Sequence, residues 1–188
     1  MILRKWHTNT DTNFKFKGCE TRYFELKSQR SRGMPESKSF SFKIVLLGSG
    51  SVGKSAIATR YVKNTFLGRY DPTIEETFSK TIEVDEKPVQ LEIYDTAGTE
   101  QFRTLQDLYM KEGDAFVLVF SLQSVSTFND LSSFHEHILN VKASMKQLNV
   151  PILIAGNKCD LDDKDKTVSA DDAKKFAEEH NCTFMETP

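Results

Sequence analysis

The sequence predicts an α/β fold with a mostly parallel sheet, one antiparallel hairpin at its edge and helices on both faces. Three observations support this fold: short continuous apolar runs, longer segments of helical spacing between them, and one pair of segments that alternates apolar and polar residues. Strands that alternate with helices form parallel sheets joined by right-handed crossovers. The chain has 188 residues, of which 38% are hydrophobic, which is enough for one domain with its own core.

The strands follow from apolar runs and from alternation. A continuous run is typical of a strand buried on both faces of a parallel sheet, and alternation is typical of a half-exposed hairpin. Runs occur at residues 42–47, 115–120 and 152–155, alternation occurs at 81–84 and 89–93 around a turn at 85–87, and a final strand is predicted at 182–186.

Helices are predicted at residues 54–64, 127–148 and 169–180. In the first two, apolar residues recur at helical spacing, at Ile57, Tyr61 and Val62 and then at Phe128, Leu131, Phe134, Ile138 and Val141. The third helix begins at Ser169, which precedes Asp172 at the spacing of a capping box.

Residues 1–39 show neither strand nor helix periodicity and are predicted to form a disordered, basic N-terminal extension to a domain at residues 40–188. Residues 1–41 hold nine Lys and Arg against four Asp and Glu, although the net charge of the whole chain is -2. Such a basic arm can approach an anionic membrane surface or nucleic acid. A solvated extension is the simpler interpretation, and we expect no nucleic-acid partner.

Cysteine use and apolar content point to a cytoplasmic protein. Cys19, Cys159 and Cys182 are too few and too widely spaced for a disulfide framework or a metal site, which indicates a reducing compartment. The apolar run at residues 44–47 is far too short to cross a bilayer. The sequence starts Met-Ile and ends Thr187-Pro188 without a prenylation box, so we expect neither common lipid attachment.

A phosphate-binding loop is predicted between the first strand and the first helix. Gly48 to Ser55 read GSGSVGKS, which fits the pattern G-x-x-x-x-G-K-[ST]. Its glycines let the backbone wrap until its N–H groups point at phosphate oxygens, and the following helix adds its positive end. Lys54 supplies a cation for the terminal phosphates, and Ser55 supplies a hydroxyl for Mg²⁺. A flexible Gly/Ser turn is the alternative, and the rarity of the full pattern and its position after a predicted strand disfavour it.

A purine-selecting loop is predicted directly after the strand at 152–155. Asn157-Lys158-Cys159-Asp160 lies where the loops of an open α/β sheet gather over a ligand. The Asp160 carboxylate can accept hydrogen bonds from N1–H and the 2-amino group of guanine, whereas adenine would leave it unpaired. Asn157 can brace the loop, and the stem of Lys158 can cover the flat face of the base.

Two further segments supply candidate groups for the metal and the γ-phosphate. Asp95 ends the predicted strand at 89–94 and can hold Mg²⁺ through water, and the N–H of Gly98 can meet the γ-phosphate. Thr73, in the segment that starts at Tyr70, offers a hydroxyl that completes the magnesium shell only when a γ-phosphate is present. Pro72 limits the backbone freedom of that segment.

The motifs GSGSVGKS, YDPTIEE, DTAGTEQF, NKCD and CTFMET resemble those of the Ras family in order and spacing, over about residues 43–187. The resemblance implies a P-loop NTPase G domain that switches between GTP and GDP with Mg²⁺ as cofactor, and the Rap branch is most similar. It implies that loops at residues 66–78 and 95–109 are ordered by the γ-phosphate and released after hydrolysis.

The resemblance assigns individual residues to three roles. Those that contact the nucleotide are Gly48, Ser49, Gly50, Ser51, Val52, Gly53, Lys54, Ser55, Ala56, Phe66, Tyr70, Thr73, Asp95, Gly98, Asn157, Lys158 and Asp160, with Phe66 packed against guanine. Those that hold magnesium are Ser55, Thr73 and Asp95. Those that support hydrolysis are Lys54, Thr73, Gly98 and Thr99.

Four positions qualify the resemblance. Thr99 stands where most of the family has a glutamine that orients the attacking water, so we expect slow intrinsic hydrolysis. Thr99 and Arg69 both resemble the Rap branch, whose activating proteins supply an asparagine instead. Ser51 replaces a frequent glycine, and Glu76 replaces the usual aspartate of the effector segment, where its carboxylate must find a cation.

By resemblance, the partners are a guanine-nucleotide exchange factor, a Rap-type GTPase-activating protein and Ras or Rap effectors that bind residues 70–78, and the chain is expected to be monomeric. The family continues past Thr187 into a guanine-contacting turn, a long helix and a lipidated tail, whereas Pro188 stands where that turn begins. We therefore expect a C-terminally truncated domain that folds or binds nucleotide more weakly. Plasma-membrane association is expected from the family.

Two other functions remain open on the sequence. One is a truncated guanine-nucleotide-binding or effector-binding module that does not cycle. The other is an ATP-using P-loop kinase, which is disfavoured because Asp160 would then face adenine unpaired.

Overall fold

The computed structural model describes residues 40–66, 75–84, 87–98 and 103–188, with side chains described from Ser41 and, in the last range, from Leu105. All of these residues lie within one compact unit, Lys38–Pro188. The predicted N-terminal extension lies outside the described residues, so its disorder stays a prediction.

Strands and helices alternate along the described chain as predicted. The strands are β1 (Phe40–Leu47), β2 (Glu75–Val84), β3 (Lys87–Thr96), β4 (Ala115–Ser121), β5 (Ile152–Asn157) and β6 (Thr183–Thr187). The helices are α1 (Lys54–Lys63), α2 (Arg103–Glu112), α3 (Val125–Ser144) and α4 (Ala170–Glu179), and a 3₁₀ turn covers Asp163–Asp165.

The six strands form one sheet in the order β2-β3-β1-β4-β5-β6. β2 pairs antiparallel with β3 at one edge, and the other neighbouring strands are parallel. The predicted architecture is therefore confirmed. β1 lies between β3 and β4, so the strand order reverses there and the carboxyl ends open a crevice suited to a ligand. The register places Asp95 beside Leu46 and Asn157 beside Ser121, so the predicted site loops all leave the sheet at the carboxyl ends of the parallel strands.

The main core lies between one face of the sheet and helices α2, α3 and α4. Buried side chains from alternate strand positions, such as Leu47 and Leu118, pack there with Met110, Leu131 and Ile138. Because strand side chains alternate between faces, the intervening residues point to the opposite face. α1 packs along β2 and β3 and is not part of the main core.

The predicted loop at residues 95–109 was too long, because α2 begins at Arg103. The physical cause is helical spacing: Leu105, Tyr109 and Met110 recur on one face and pack into or against the core. That spacing was present in the sequence.

The predicted loop at residues 66–78 was also too long, because β2 begins at Glu75. Only Phe78 is buried among the first six residues of β2, so this part of the strand shows little alternation of buried and exposed residues. The strand extends because β3 pairs with it over its whole length, from Glu75 opposite Thr96 to Val84 opposite Lys87.

Two helix predictions need smaller corrections. α1 buries Ala58 and Thr59, whereas Tyr61 is exposed and its ring faces the ammonium of Lys80 at 4.0 Å. α3 ends at Ser144 rather than at residue 148, because the chain turns through Lys146 at a positive φ of 60°.

The predicted cap of α4 is confirmed, since the Asp172 N–H donates to the Ser169 hydroxyl at 3.0 Å. Within the described ranges, no helix has the length and apolar character needed to cross a membrane.

Candidate functional site

The glycine-rich loop lies close to the sheet and closes around the ammonium of Lys54. Gly48 has a φ of 144°, and a Cβ at this position would lie 2.1 Å from the carbonyl oxygen of Val119. Only glycine therefore lets the loop leave β1 so close to β4. Lys54 is buried at the start of α1, and its Nζ donates to the carbonyl oxygens of Gly48 at 2.8 Å and Ser49 at 2.9 Å. The loop thus wraps the cation that the sequence assigns to the phosphates.

Asn157 joins the phosphate loop to the predicted purine loop. Its Nδ2 donates to the carbonyl oxygen of Val52 at 2.8 Å, and its Oδ1 accepts from the Thr187 hydroxyl at 3.0 Å. Gly53, with a φ of 100°, makes room for this side chain, because a Cβ there would lie 2.1 Å from Asn157 Nδ2. The predicted bracing by Asn157 is therefore confirmed, and its partners are now identified.

The predicted purine loop continues from β5 and turns at Lys158, which has a positive φ of 66°. Its neighbour Cys159 is held by a backbone hydrogen bond to the Thr187 carbonyl at 3.0 Å. Asp160 is exposed. A carboxylate that stays hydrated on an anchored loop can accept hydrogen bonds from a ligand without first breaking contacts within the protein.

Phe66 lies just beyond the end of α1, and its side chain is 69% exposed. An exposed aromatic ring of this kind is free to stack on a flat ligand. Its contact with guanine stays a prediction.

Asp95 forms the acidic corner of the site. Its side chain is fully buried, and within the described ranges neither carboxylate oxygen meets a donor at good hydrogen-bond geometry. Burial raises the pKa of Asp95, and the nearby Ser55 hydroxyl and Lys54 ammonium oppose that change. Burial also lowers the pKa of Lys54 to about 8, against the opposing charge of Asp95. Burial therefore disfavours the charged form of both groups, and each is the other's nearby opposite charge.

This corner fits a magnesium ion that arrives with phosphates. A buried carboxylate with unused lone pairs beside a serine hydroxyl matches the oxygen ligands that Mg²⁺ prefers. In the part of the chain that the structure describes, no cluster of three or more His, Cys, Asp or Glu side chains could hold a metal by itself. Mg²⁺ usually binds through one or two protein oxygens together with substrate phosphates, so Asp95 and Ser55 are a sufficient protein contribution.

Gly98 packs directly on the phosphate loop. A Cβ at Gly98 would lie 2.5 Å from the Gly50 nitrogen and 2.6 Å from the Ser49 carbonyl oxygen. A glycine is therefore needed for this approach. The Ala97 carbonyl before it accepts a hydrogen bond from Gln106 Nε2 at 2.9 Å. The end of β3 is also held to β1, because the Thr96 hydroxyl donates to the Leu46 carbonyl at 2.8 Å.

The other residues of the phosphate loop show one contact and one strained backbone. The Ser49 hydroxyl donates to Asp130 Oδ2 on α3 at 2.6 Å, which ties the loop to that helix. Ser51 has a φ of 61°, in the left-handed region that favours glycine. The replacement of a frequent glycine by Ser51 therefore carries a backbone cost that the sequence analysis did not identify.

The structure brings together most of the residues predicted for the site, at the carboxyl edge of the sheet. The exceptions are Tyr70, Thr73 and Thr99, which lie outside the described residues, so their roles stay predictions. Sequence reasoning missed Thr96, Gln106, Asp130 and Thr187. Thr96 and Thr187 lie in the quoted motifs DTAGTEQF and CTFMET, and Gln106 and Asp130 lie in none, but only the tertiary fold shows which groups these four side chains contact.

Fold and site together define a P-loop domain in which a second loop, at residues 157–160, is tied to the phosphate loop through Asn157. A family model described as the Ras family matches residues 43–188. Because this match covers most of the chain, the protein belongs to the Ras family. Proteins of this family are small GTPases that act as switches by binding GTP and GDP.

Proposed function

We propose that this chain is a Rap-like molecular switch in intracellular signalling, which binds GTP and GDP with Mg²⁺ and hydrolyses GTP slowly without an activating protein. The observation that carries the proposal is the link through Asn157. The buried side chain of Asn157 holds the phosphate loop at Val52, and Asn157 is also the first residue of the loop that carries Asp160. A ligand that fills both loops at once has phosphates at one end and a base at the other.

The phosphate end is supported by Lys54 and Asp95. Lys54 donates to carbonyl oxygens of its own loop, and phosphate oxygens are stronger acceptors because they are charged. A bound phosphate would also place negative charge beside this ammonium, which burial removes from water. Bound Mg²⁺ would neutralise charge that develops on the β- and γ-phosphates during hydrolysis. Asp95 and Ser55 would orient that ion, with Thr73 added in the GTP state.

The base end is tested by the Asp160→Asn substitution. Asparagine exchanges one carboxylate oxygen for an NH₂ donor, which opposes the donors of guanine and matches the O2 carbonyl of xanthine. We expect affinity for GDP to fall at least about a hundredfold, as in sites that lose a required hydrogen-bond match, and affinity for XDP to rise. Asp162→Asn, in the same exposed loop, is the matched control. Unchanged GDP affinity in the Asp160 variant would remove the proposed role of this loop.

Slow hydrolysis is the part of the proposal that depends on Thr99. A threonine side chain is too short to reach an attacking water, so Thr99→Gln should raise the single-turnover rate of GTP hydrolysis without any partner. Thr99→Val, which keeps the shape but removes the hydroxyl, should remain slow. Equal rates for the wild type and the glutamine variant would contradict the proposal.

The proposed partners are Ras or Rap effectors that bind residues 70–78 in the GTP state. The exposed side chains of Glu75, Glu76 and Thr77 support this, because β2 presents them at the edge of the sheet. Glu76 already has a cation nearby, the Lys63 ammonium at 3.5 Å. Titration of a basic Ras- or Rap-binding domain against the two loaded forms tests the proposal, and equal affinity for the GTP-analogue and GDP forms would contradict it.

A further inference from the structure

We propose that Gln106 is a positioning residue that fixes the Ala97–Gly98 peptide so that the Gly98 N–H can contact the γ-phosphate. This inference rests on the proposed function, in which GTP is bound and the Gly98 N–H meets its γ-phosphate, as the sequence motif predicts. It goes further because it names the side chain through which α2 is coupled to the peptide that contacts the γ-phosphate.

The contact that carries the inference is buried. Gln106 is 6% exposed and Ala97 is 5% exposed. Gln106 Nε2 donates to the Ala97 carbonyl oxygen at 2.9 Å. A buried hydrogen bond of this kind is costly to leave unmade, since the carbonyl would then lack both this donor and water. The Ala97 carbonyl is therefore held in one direction.

The orientation of that carbonyl sets the orientation of the next N–H. Ala97 C=O and Gly98 N–H belong to the same planar peptide unit, and the described chain contains no cis peptide bond. In a trans unit the two bonds point in opposite directions. Gln106 therefore holds the Gly98 N–H on the side away from α2 without touching it.

Gly98 has little freedom to compensate for a loss of this hydrogen bond. Its α-carbon packs on the backbone of Ser49 and Gly50 so closely that a Cβ would lie 2.5 Å from the Gly50 nitrogen. A rotated peptide would have to withdraw from the phosphate loop. The N–H would then be displaced from the loop whose amides are expected to surround the phosphates.

α2 offers a firm base for this side chain. The buried Lys142 Nζ donates to the carbonyl oxygens of Lys111 at 2.9 Å and Gly113 at 2.6 Å, at the end of α2. Glu112 pairs with Lys43 on β1 at 2.6 Å. Because α2 is anchored at this end, Gln106 transmits a fixed helix position to the peptide at the other end.

The test compares nucleotide affinities of Gln106→Met, which keeps the side-chain length but has no donor. Dissociation constants for GDP and for a non-hydrolysable GTP analogue, both with Mg²⁺, are measured for the full chain. We expect the ratio of GTP-analogue affinity to GDP affinity to fall about threefold to tenfold, the range for one net hydrogen bond, while GDP affinity stays unchanged. Gln106→Glu, which turns a carboxylate toward the carbonyl, should lower the ratio further. Gln90→Met, at an exposed position of β3, is the control.

The outcomes separate positioning from support of the fold. An unchanged ratio in Gln106→Met, or an equal fall in both affinities, would overturn the proposal, because a purely structural residue affects both nucleotides alike. Thermal unfolding of the GDP-bound variants shows whether the variant is folded: a lowered unfolding temperature together with an equal fall in both affinities assigns Gln106 a structural role. Failure of the wild type to bind guanine nucleotide would instead refute the proposed function, and the positioning role would fall with it.

Discussion

Removal of the Asn157 side chain should both destabilise the domain and weaken nucleotide binding. Asn157→Ala deletes the donor to the Val52 carbonyl and the acceptor of the Thr187 hydroxyl, and both of these contacts are buried. Each buried partner left unsatisfied costs about 1–3 kcal/mol, so the two together should lower the free energy of unfolding by about 2–6 kcal/mol. That loss is a large share of the stability of an ordinary domain, about 5–15 kcal/mol.

The assay is urea unfolding with and without Mg²⁺·GDP, together with GDP titration of the folded variant. Thr187→Val is the matched comparison, because it removes the Thr187 hydroxyl but keeps the Asn157 contact with Val52. It should cost about 1–3 kcal/mol, because Asn157 Oδ1 loses its donor, and leave GDP affinity nearly unchanged, since the phosphate loop keeps its brace. Combining the two substitutions measures the coupling between the residues.

A loss below about 0.5 kcal/mol in Asn157→Ala, which is the size of an ordinary surface substitution, would refute the reasoning. The same conclusion would follow if Thr187→Val lowered GDP affinity as much as Asn157→Ala. The link between the two loops would then not depend on this side chain.

Two further predictions concern the phosphate loop. Because Ser51 has a φ of 61°, the stability order should be Gly, then Ser, then Val at this position, with Ser51→Val at least about 1 kcal/mol less stable than Ser51→Gly by urea unfolding. Equal stability of Gly and Val would contradict it. Because burial lowers the pKa of Lys54 to about 8, the folded nucleotide-free protein binds fewer protons than the unfolded chain between about pH 8 and 10.5. Its stability should therefore rise with pH in that window relative to Lys54→Met, by up to about 3 kcal/mol, and Mg²⁺·GDP should abolish the rise. A flat difference between the two proteins would count against the buried, uncompensated ammonium.

The sequence predicted the parts of the fold that depend on local pattern. The strands at 115–120 and 152–155 were recognised because a central parallel strand is apolar throughout, and the structure buries every residue of β4 and β5. The cap at Ser169 was recognised because its partner lies only three residues away. β2 was only partly recognised, since most of its length is stabilised by pairing with β3 rather than by its own side chains.

In the candidate site, too, the residues that belong to chemical motifs were predictable and those that only hold the site in place were not. Lys54, Asp95 and Asn157 were predicted because each lies in a motif whose residue types match the chemistry of a phosphate, a cation or a loop brace. Thr187 and Gln106 were missed because their partners lie 30 and 9 residues away, and nothing in the local sequence marks the contact. Residues that hold a site in place are determined by the tertiary fold, so a single sequence seldom reveals them.

The central claim is that one pocket binds phosphates at Lys54 and selects guanine at Asp160. The most direct measurement is calorimetric titration of the full chain with GDP and, separately, with ADP, both in the presence of Mg²⁺. The account predicts at least about a hundredfold preference for GDP, because adenine leaves the Asp160 carboxylate without its two donors. Equal affinity for the two nucleotides, or binding of neither, would contradict it.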